Sequence, residues 1–493
     1  MVATVTPRLL GVPVATAAPQ WLSESAWRRL RRRAESGLQA VRHDGRAGVL
    51  VSVSERLRAA VDPSPVVIGS RRPDEHWFCL EQPDRDGTAL ATLGCVHQLA
   101  APAERRFEGV DHRWRELVSR ALADPPAGPP GSGLVGAGAF AFADGGGDSP
   151  TWRGFGAGSL IVPELSLARR AGESWLTVNL MPEPDDTADG VLERIERRLA
   201  ELRVEPLPLL DPAPTGNFVV HSPMPPSHYE EAVARAVERI QAGELEKVVL
   251  AREVQVTAPA AHDPGAVFGI LRAGFSSCFV YAVGRGSATF VGASPELLIR
   301  RDGQRASTVA LAGSTRRSAD PAVDEHLGEA LLHSHKNLQE HAIVARRIVR
   351  GLAPYSVWVT AAPEPVVVRV ANIQHLALPI RAQLARPLGV VELAGALHPT
   401  PAVGGEPVGA ARRLIPALEG LDRGWYAGLV GWTDLTGDGE FCVALRCALL
   451  RGATASCFAG CGIVAGSEPA SELAETEVKL QAMLPVLSGL SLG

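Results

Sequence analysis

The chain of 493 residues contains no run of about 18 apolar residues, so nothing in it reads as a membrane-spanning helix. It has no CxxC spacing. Its seven cysteines, Cys79, Cys95, Cys278, Cys442, Cys447, Cys457 and Cys461, are scattered through apolar stretches. That excludes a zinc finger and points to buried free thiols in a reducing compartment, the cytoplasm. It has no excess of positive charge: the net charge of -5 gives no electrostatic case for nucleic acid. There is no repeat of fixed period. What remains is 46% hydrophobic and 21% charged, ordinary globular composition with ample material for a core. The length allows two to four domains or one large α+β unit.

At the N-terminus, Arg8 precedes LLGVPVATAA, which resembles a short signal sequence. Pro13 breaks that apolar run and the basic stretch WRRLRRR follows at 27–33, so residues 1–35 read as a disordered leader whose arginines form a solvated helix face. Residues 36–215 mix glycine-rich turns with short strand patterns and end in the helical stretch 185–203. The proline-rich 204–216 marks a boundary. Residues 216–493 form the second region. It opens with a helix at 226–243 and a strand at 246–256, continues through a long helix ending near Gly351, and closes in a meander of strands apolar on both faces.

The strongest local signal is AGCGIVAGSEPASELAETEVKL at 459–480. A glycine-rich strand runs into a helix carrying Glu472, Glu475 and Lys479 at i, i+3 and i+7, on one helical face. Stacked carboxylates repel unless a cation lies between them, which suggests a metal site beside an anionic ligand. A solvated acidic face would give the same spacing. Arg446, in FCVALRCALL, shares a strand face with Cys442 and Ala444. A guanidinium there needs an anion, either an internal partner or a substrate carboxylate held by its planar fork. Glu340 follows Lys336 by one helical turn, the spacing of a routine surface pair. Glu296 ends an apolar strand after VGASP, a place for a poised acid. Lys247 opens the buried strand pattern KVVLAREV, where it can snorkel or serve as a base.

Together, VGASPELLIRR, LAGSTRR, KNLQEH, HPTPAVGGEP, RGWYAGLVGW, GDGEFCVALRCALL, AGCGIV and AETEVKL, all within 225–486, resemble the chorismate-utilising enzymes. That family comprises anthranilate, aminodeoxychorismate, salicylate and isochorismate synthases. GAGAFAFAD and FGAGSLIVPELSLAR extend the likeness weakly into the first half. The resemblance implies an α+β fold, one large two-sheet α/β sandwich of the chorismate-binding, anthranilate synthase component I type, to which both halves contribute sheets. The boundary near 216 would then be one of sequence only. The resemblance also implies Mg²⁺ bound by Glu340 and Glu475, with Glu472 helping through water, against the ring carboxylate of chorismate. Arg446 and Tyr426 would hold the enolpyruvyl carboxylate, with backbone donors from Gly313, Gly460 and Gly462. Lys479 would reach the ligand or its metal shell, and His375 would shape the ligand.

Three positions bear on the reaction that the resemblance implies. Family members that add ammonia generally carry a non-basic residue where this chain has Lys247; water addition needs a base there. The aminodeoxychorismate enzymes carry a lysine nucleophile where LAGSTRR has Ala312, which argues against a covalent adduct. HPTPAVGGEP, with Ala402 and Val403 near the enolpyruvyl group, is similar to isochorismate synthases. The expectation is isochorismate synthase, with Lys247 as base for water attack at C2 and Glu296 as acid for the C4 hydroxyl. Neighbouring readings are salicylate synthase, in which pyruvate is then lost, and anthranilate synthase, which needs a glutaminase partner. A non-catalytic regulatory protein on the same scaffold is a reading of another class. The expected protein is a cytoplasmic monomer acting on chorismate, with no glutaminase subunit, nucleic acid or membrane. Its product would feed menaquinone or siderophore synthesis.

Overall fold

Along most strands apolar side chains alternate between two packed faces. In Phe279–Arg285, Tyr281 and Val283 join one hydrophobic core while Val280 and Ala282 join another. The computed structural model describes residues 20–44, 48–211, 215–370 and 373–489. No helix among them is long and apolar enough to cross a membrane. Among the described residues the strands form two antiparallel sheets of twelve and ten. In the first sheet, Trp77–Gln82 of the N-terminal half pairs directly with Phe279–Arg285 of the C-terminal half. In the second, Val135–Phe140 pairs with Leu429–Asp434. Both sheets therefore continue across the proline-rich segment.

Helices Glu24–Asp44, Pro63–Ser70, Ala188–Ala200 and Pro264–Gly274 fill the core on the outer face of the first sheet. His335–Leu352 and Val390–Leu397 pack on the second sheet. The layers run helix, sheet, sheet, helix, an α+β sandwich.

Four expectations change. The leader gives way from Glu24 onward, because Glu24–Asp44 is one helix that buries Ala26, Leu30 and Ala34. Its arginines are not all solvated. The buried stripe carries them over the edge strand Val51–Arg56, where Arg33 donates to the Ser52 carbonyl at 2.7 Å and Arg29 to the Ser54 carbonyl at 3.0 Å. The signal-like stretch 9–18 lies outside the described residues. The long helix ending near Gly351 is two, Pro321–His333 and His335–Leu352. Ser334 leaves helical geometry between them and its hydroxyl accepts from the Asn337 amide as an N-cap. Of the seven cysteines six are buried, while Cys95 is exposed.

The strand expected across Arg446 is also two: Gly439–Val443 in the second sheet and Cys447–Arg451 in the first. The chain passes between sheets at 444–446, with Arg446 in the left-handed region at φ 47°. A second passage, Pro295 and Glu296, joins Ala288–Ser294 to Leu297–Asp302. The same Pro-Glu-Leu triplet recurs at 163–165, where the chain again changes sheets. The passages holding Glu296 and Arg446 run side by side: the Val443 amide donates to the Glu296 carbonyl and the Ala293 amide to the Arg446 carbonyl, each at 3.0 Å. The crossing of sheets thus brings together an acid and a guanidinium from distant parts of the sequence.

Candidate active site

Beside these passages lies a small cavity closed by the strands Lys247–Thr257, Arg305–Arg316 and Thr454–Ile463 and by the helices His335–Leu352 and Pro469–Leu480. Glu296, Gly313, Glu340, His375, Ala402, Tyr426, Arg446, Gly460, Gly462, Glu475 and Lys479 line it, joined by Val249, Val403 and Ser314. Lys247 and Glu472 are not in its lining; both are buried, at 0% and 1% exposure. Lys247 therefore does not snorkel. Its Nζ lies 2.8 Å from Oε1 of Glu340. The contact is a close charge pair and not a well-directed hydrogen bond, and Nζ has no hydrogen-bond partner among the described residues. A buried ammonium or amine with undirected valences is poised to address a bound molecule.

Each carboxylate of the suspected metal set meets a lysine. Glu340 meets Lys247. Glu472 accepts from Lys336 at 2.6 Å. Glu475 lies 2.7 Å from Lys479 and accepts from the Ser314 hydroxyl at 2.8 Å. Lys336 is thus not the surface partner of Glu340 that its spacing suggests; it reaches across to the final helix. Burial raises the Glu472 carboxyl, with Lys336 opposing. Burial would raise Glu475 too, but Lys479, Ser314 and Lys336 hold it at about 2, so it is ionised. The set is all oxygen and anionic, the donor chemistry of a hard divalent cation. Gly462 keeps the space open: a Cβ there would come within 2.3 Å of Glu340 Oε1. The carboxylate chemistry and the open space suit Mg²⁺; the ligand atoms already within 4.8 Å of one another are those of Glu472 and Glu475, with the Cys461 thiol.

Glu296 is the opposite case. It is 4% exposed, and burial pushes its carboxyl up to about 8 against the pull of Lys247 and Arg446. At neutral pH it carries a proton. Arg446 is 9% exposed and makes no ion pair among the described residues. Its Nη2 donates to Nε2 of His375 at 3.2 Å. Burial, with Arg446 and Lys479 nearby, lowers His375 to about 3, so the ring is neutral. Its Nδ1–H then donates to the Gly313 carbonyl at 3.3 Å, which leaves Nε2 as the acceptor. A neutral acceptor orients the guanidinium without cancelling its charge. The internal salt bridge that the sequence allowed for Arg446 is not the arrangement found.

Tyr426 stacks on Phe458 at 5.4 Å, and burial raises its hydroxyl, keeping it neutral. Lys479 donates to the Gly460 carbonyl at 2.8 Å as well as meeting Glu475. Gly313 and Gly460 thus engage side chains through their carbonyls. Gly313, at φ 75°, forms a bulge in the pairing of Arg305–Arg316, which turns Ser314 toward Glu475. Sequence reasoning missed Ser314 and the true partner of Lys336.

The family model described as chorismate binding enzyme matches residues 36–488. The chain is 37% identical to the salicylate biosynthesis isochorismate synthase of Pseudomonas aeruginosa, over 87% of this chain and 89% of that one. It is 33% identical to the isochorismate synthase MenF of Bacillus subtilis, over 90% and 94%. Among solved structures, MenF, the menaquinone-specific isochorismate synthase from Escherichia coli, superposes with a TM-score of 0.73 at 25% identity, covering 94% of this chain and all of that one.

Proposed function

The chain belongs to the chorismate-binding enzymes, and from that premise we propose that it is an isochorismate synthase converting chorismate reversibly to isochorismate. The observation that carries the reading is a protonated buried acid, Glu296, lining a cavity that also presents a guanidinium with no ion pair among the described residues, Arg446, with the buried Lys247 directly behind the lining residues Glu340 and Gly462.

Arg446, oriented by His375, takes the enolpyruvyl carboxylate in its fork, with Tyr426 alongside. Glu340 and Glu475, supported by Glu472, would hold Mg²⁺. When bound, the metal supplies positive charge that orients the ring and offsets its own charge. Lys247, as general base, takes a proton from water as its oxygen bonds to C2. The ring double bonds shift, the C4–oxygen bond breaks, and the departing hydroxyl takes the proton of Glu296 and leaves as water. One water enters and one leaves, so the net change is isomerisation. Lys247 ends protonated and Glu296 ionised, and proton exchange resets them. Ala312, where a lysine nucleophile would stand, leaves C2 open to water. We place the enzyme in the cytoplasm as a monomer with no glutaminase subunit, supplying menaquinone or siderophore synthesis.

Incubation of the protein alone with chorismate and Mg²⁺, followed by product identification, tests this. Isochorismate is the expected product. Salicylate with pyruvate, or anthranilate on adding ammonia, would overturn the assignment.

A further inference from the structure

Behind the cavity wall sits an ion pair to which no role has yet been given. Arg423 and Glu419, four residues apart across the left-handed Gly420 that ends the helix Val408–Glu419, are 3% and 1% exposed. All three guanidinium nitrogens are engaged. Its Nε donates to Glu419 Oε2 at 2.9 Å, its Nη1 to the Val403 carbonyl at 2.8 Å and its Nη2 to the Val249 carbonyl at 2.8 Å. Glu419 also accepts from the Ala251 amide at 2.7 Å. Val249 and Val403 both line the cavity. They come from segments that meet here at the end of a short antiparallel pairing, Lys247 with Glu406 and Val248 with Gly405, where the Val249 amide donates to the Gly404 carbonyl at 2.7 Å. The Arg423 carbonyl in turn accepts from the amide of Tyr426, a third lining residue, at 2.9 Å.

A pair buried this deeply is a weak stabiliser, since desolvating both charges offsets most of their attraction. What it fixes is geometry: a planar fork reaches two carbonyls and a carboxylate from three nitrogens in fixed directions, which a lysine's single nitrogen does not reproduce. We propose that Arg423, held by Glu419, is a positioning residue that sets the spacing of Val249, Val403 and Tyr426 and so governs how tightly the site closes on chorismate. It touches no reacting atom and leaves the proton transfers of Lys247 and Glu296 alone. The proposal rests on chorismate being the substrate.

The test compares steady-state kinetics of the wild type with Arg423→Lys and Glu419→Gln. The expected result is a KM for chorismate raised about fivefold or more, kcat within about threefold, and an unmoved pH profile. Coupling through the wall adds a second readout: the KM effect of Val403→Ala shrinks in the Arg423→Lys background, because both changes loosen the same contact. A smaller KM rise in the folded variants, whatever their melting temperature, or independent effects in the double variant, would overturn the proposal. If Arg423→Lys does not fold, Glu419→Gln, which keeps the shape, is read by the same criterion. A wild type without turnover would instead mark failure of the functional reading.

Discussion

Nζ of Lys247 and Oε1 of Glu340 stand 2.8 Å apart above Gly462, where a Cβ would lie 2.3 Å from that oxygen and 2.8 Å from the lysine Cε. The proposed base and a carboxylate of the proposed metal set share one space, and the strand leaves that space open by carrying no side chain there. Gly462→Ala is expected to fold and to lose Mg²⁺ affinity about tenfold or more, as displaced supporting contacts do at other metal sites. Calorimetry with the metal alone reads this. Unchanged affinity would take Glu340 out of the metal set.

Lys247→Ala should abolish turnover, with a loss of about 10²-fold or greater, while Mg²⁺ and chorismate binding stay measurable by calorimetry. Full residual activity would remove the base.

Glu296→Gln has two consequences of opposite sign. Turnover should fall about 10²-fold or more, because the amide has no proton to give. Stability should rise. A carboxyl at about 8 when folded and in the usual carboxylate range when unfolded binds more protons in the native state, so wild-type stability falls as pH rises between those values. At pH 7 a shift of that size corresponds to about 3 kcal/mol, which the glutamine variant does not lose. Melting temperature followed from pH 5 to about pH 8 should fall less in Glu296→Gln than in the wild type, and wild-type activity should fall as pH passes about 8. Identical slopes would mean that Glu296 is not a buried acid.

Arg446→Lys keeps the charge and loses the fork. The KM for chorismate should rise about tenfold or more with Mg²⁺ affinity unchanged. A wild-type KM would mean that the substrate carboxylate binds elsewhere.

The final helix was the most legible part of the site, because a helical period places Glu472, Glu475 and Lys479 together from spacing alone. The opening strand at Lys247 was legible for the same kind of reason. Arg446 was half legible. Its isolation on a small apolar face was visible, but the break of its strand between two sheets depends on a left-handed residue and on pairing with a distant segment, which local alternation does not encode. Lys336 was misread because i,i+4 spacing favours Glu340, whereas the fold offers Glu472 from another helix. Arg423 and Glu419 gave no signal beyond opposite charges four residues apart; their burial is a property of the assembled wall. The extent of the leader was misjudged because its arginines hid the buried stripe of Ala26, Leu30 and Ala34.

The central claim is that water, activated by Lys247, supplies the new oxygen at C2. Turnover of chorismate in ¹⁸O-labelled water, with mass analysis of the product, measures it most directly. The account predicts one labelled oxygen in isochorismate, at C2, and label at C4 of the chorismate re-formed by the reverse reaction. Isochorismate that carries no label would mean that the C4 hydroxyl migrates within the substrate, and would contradict the account.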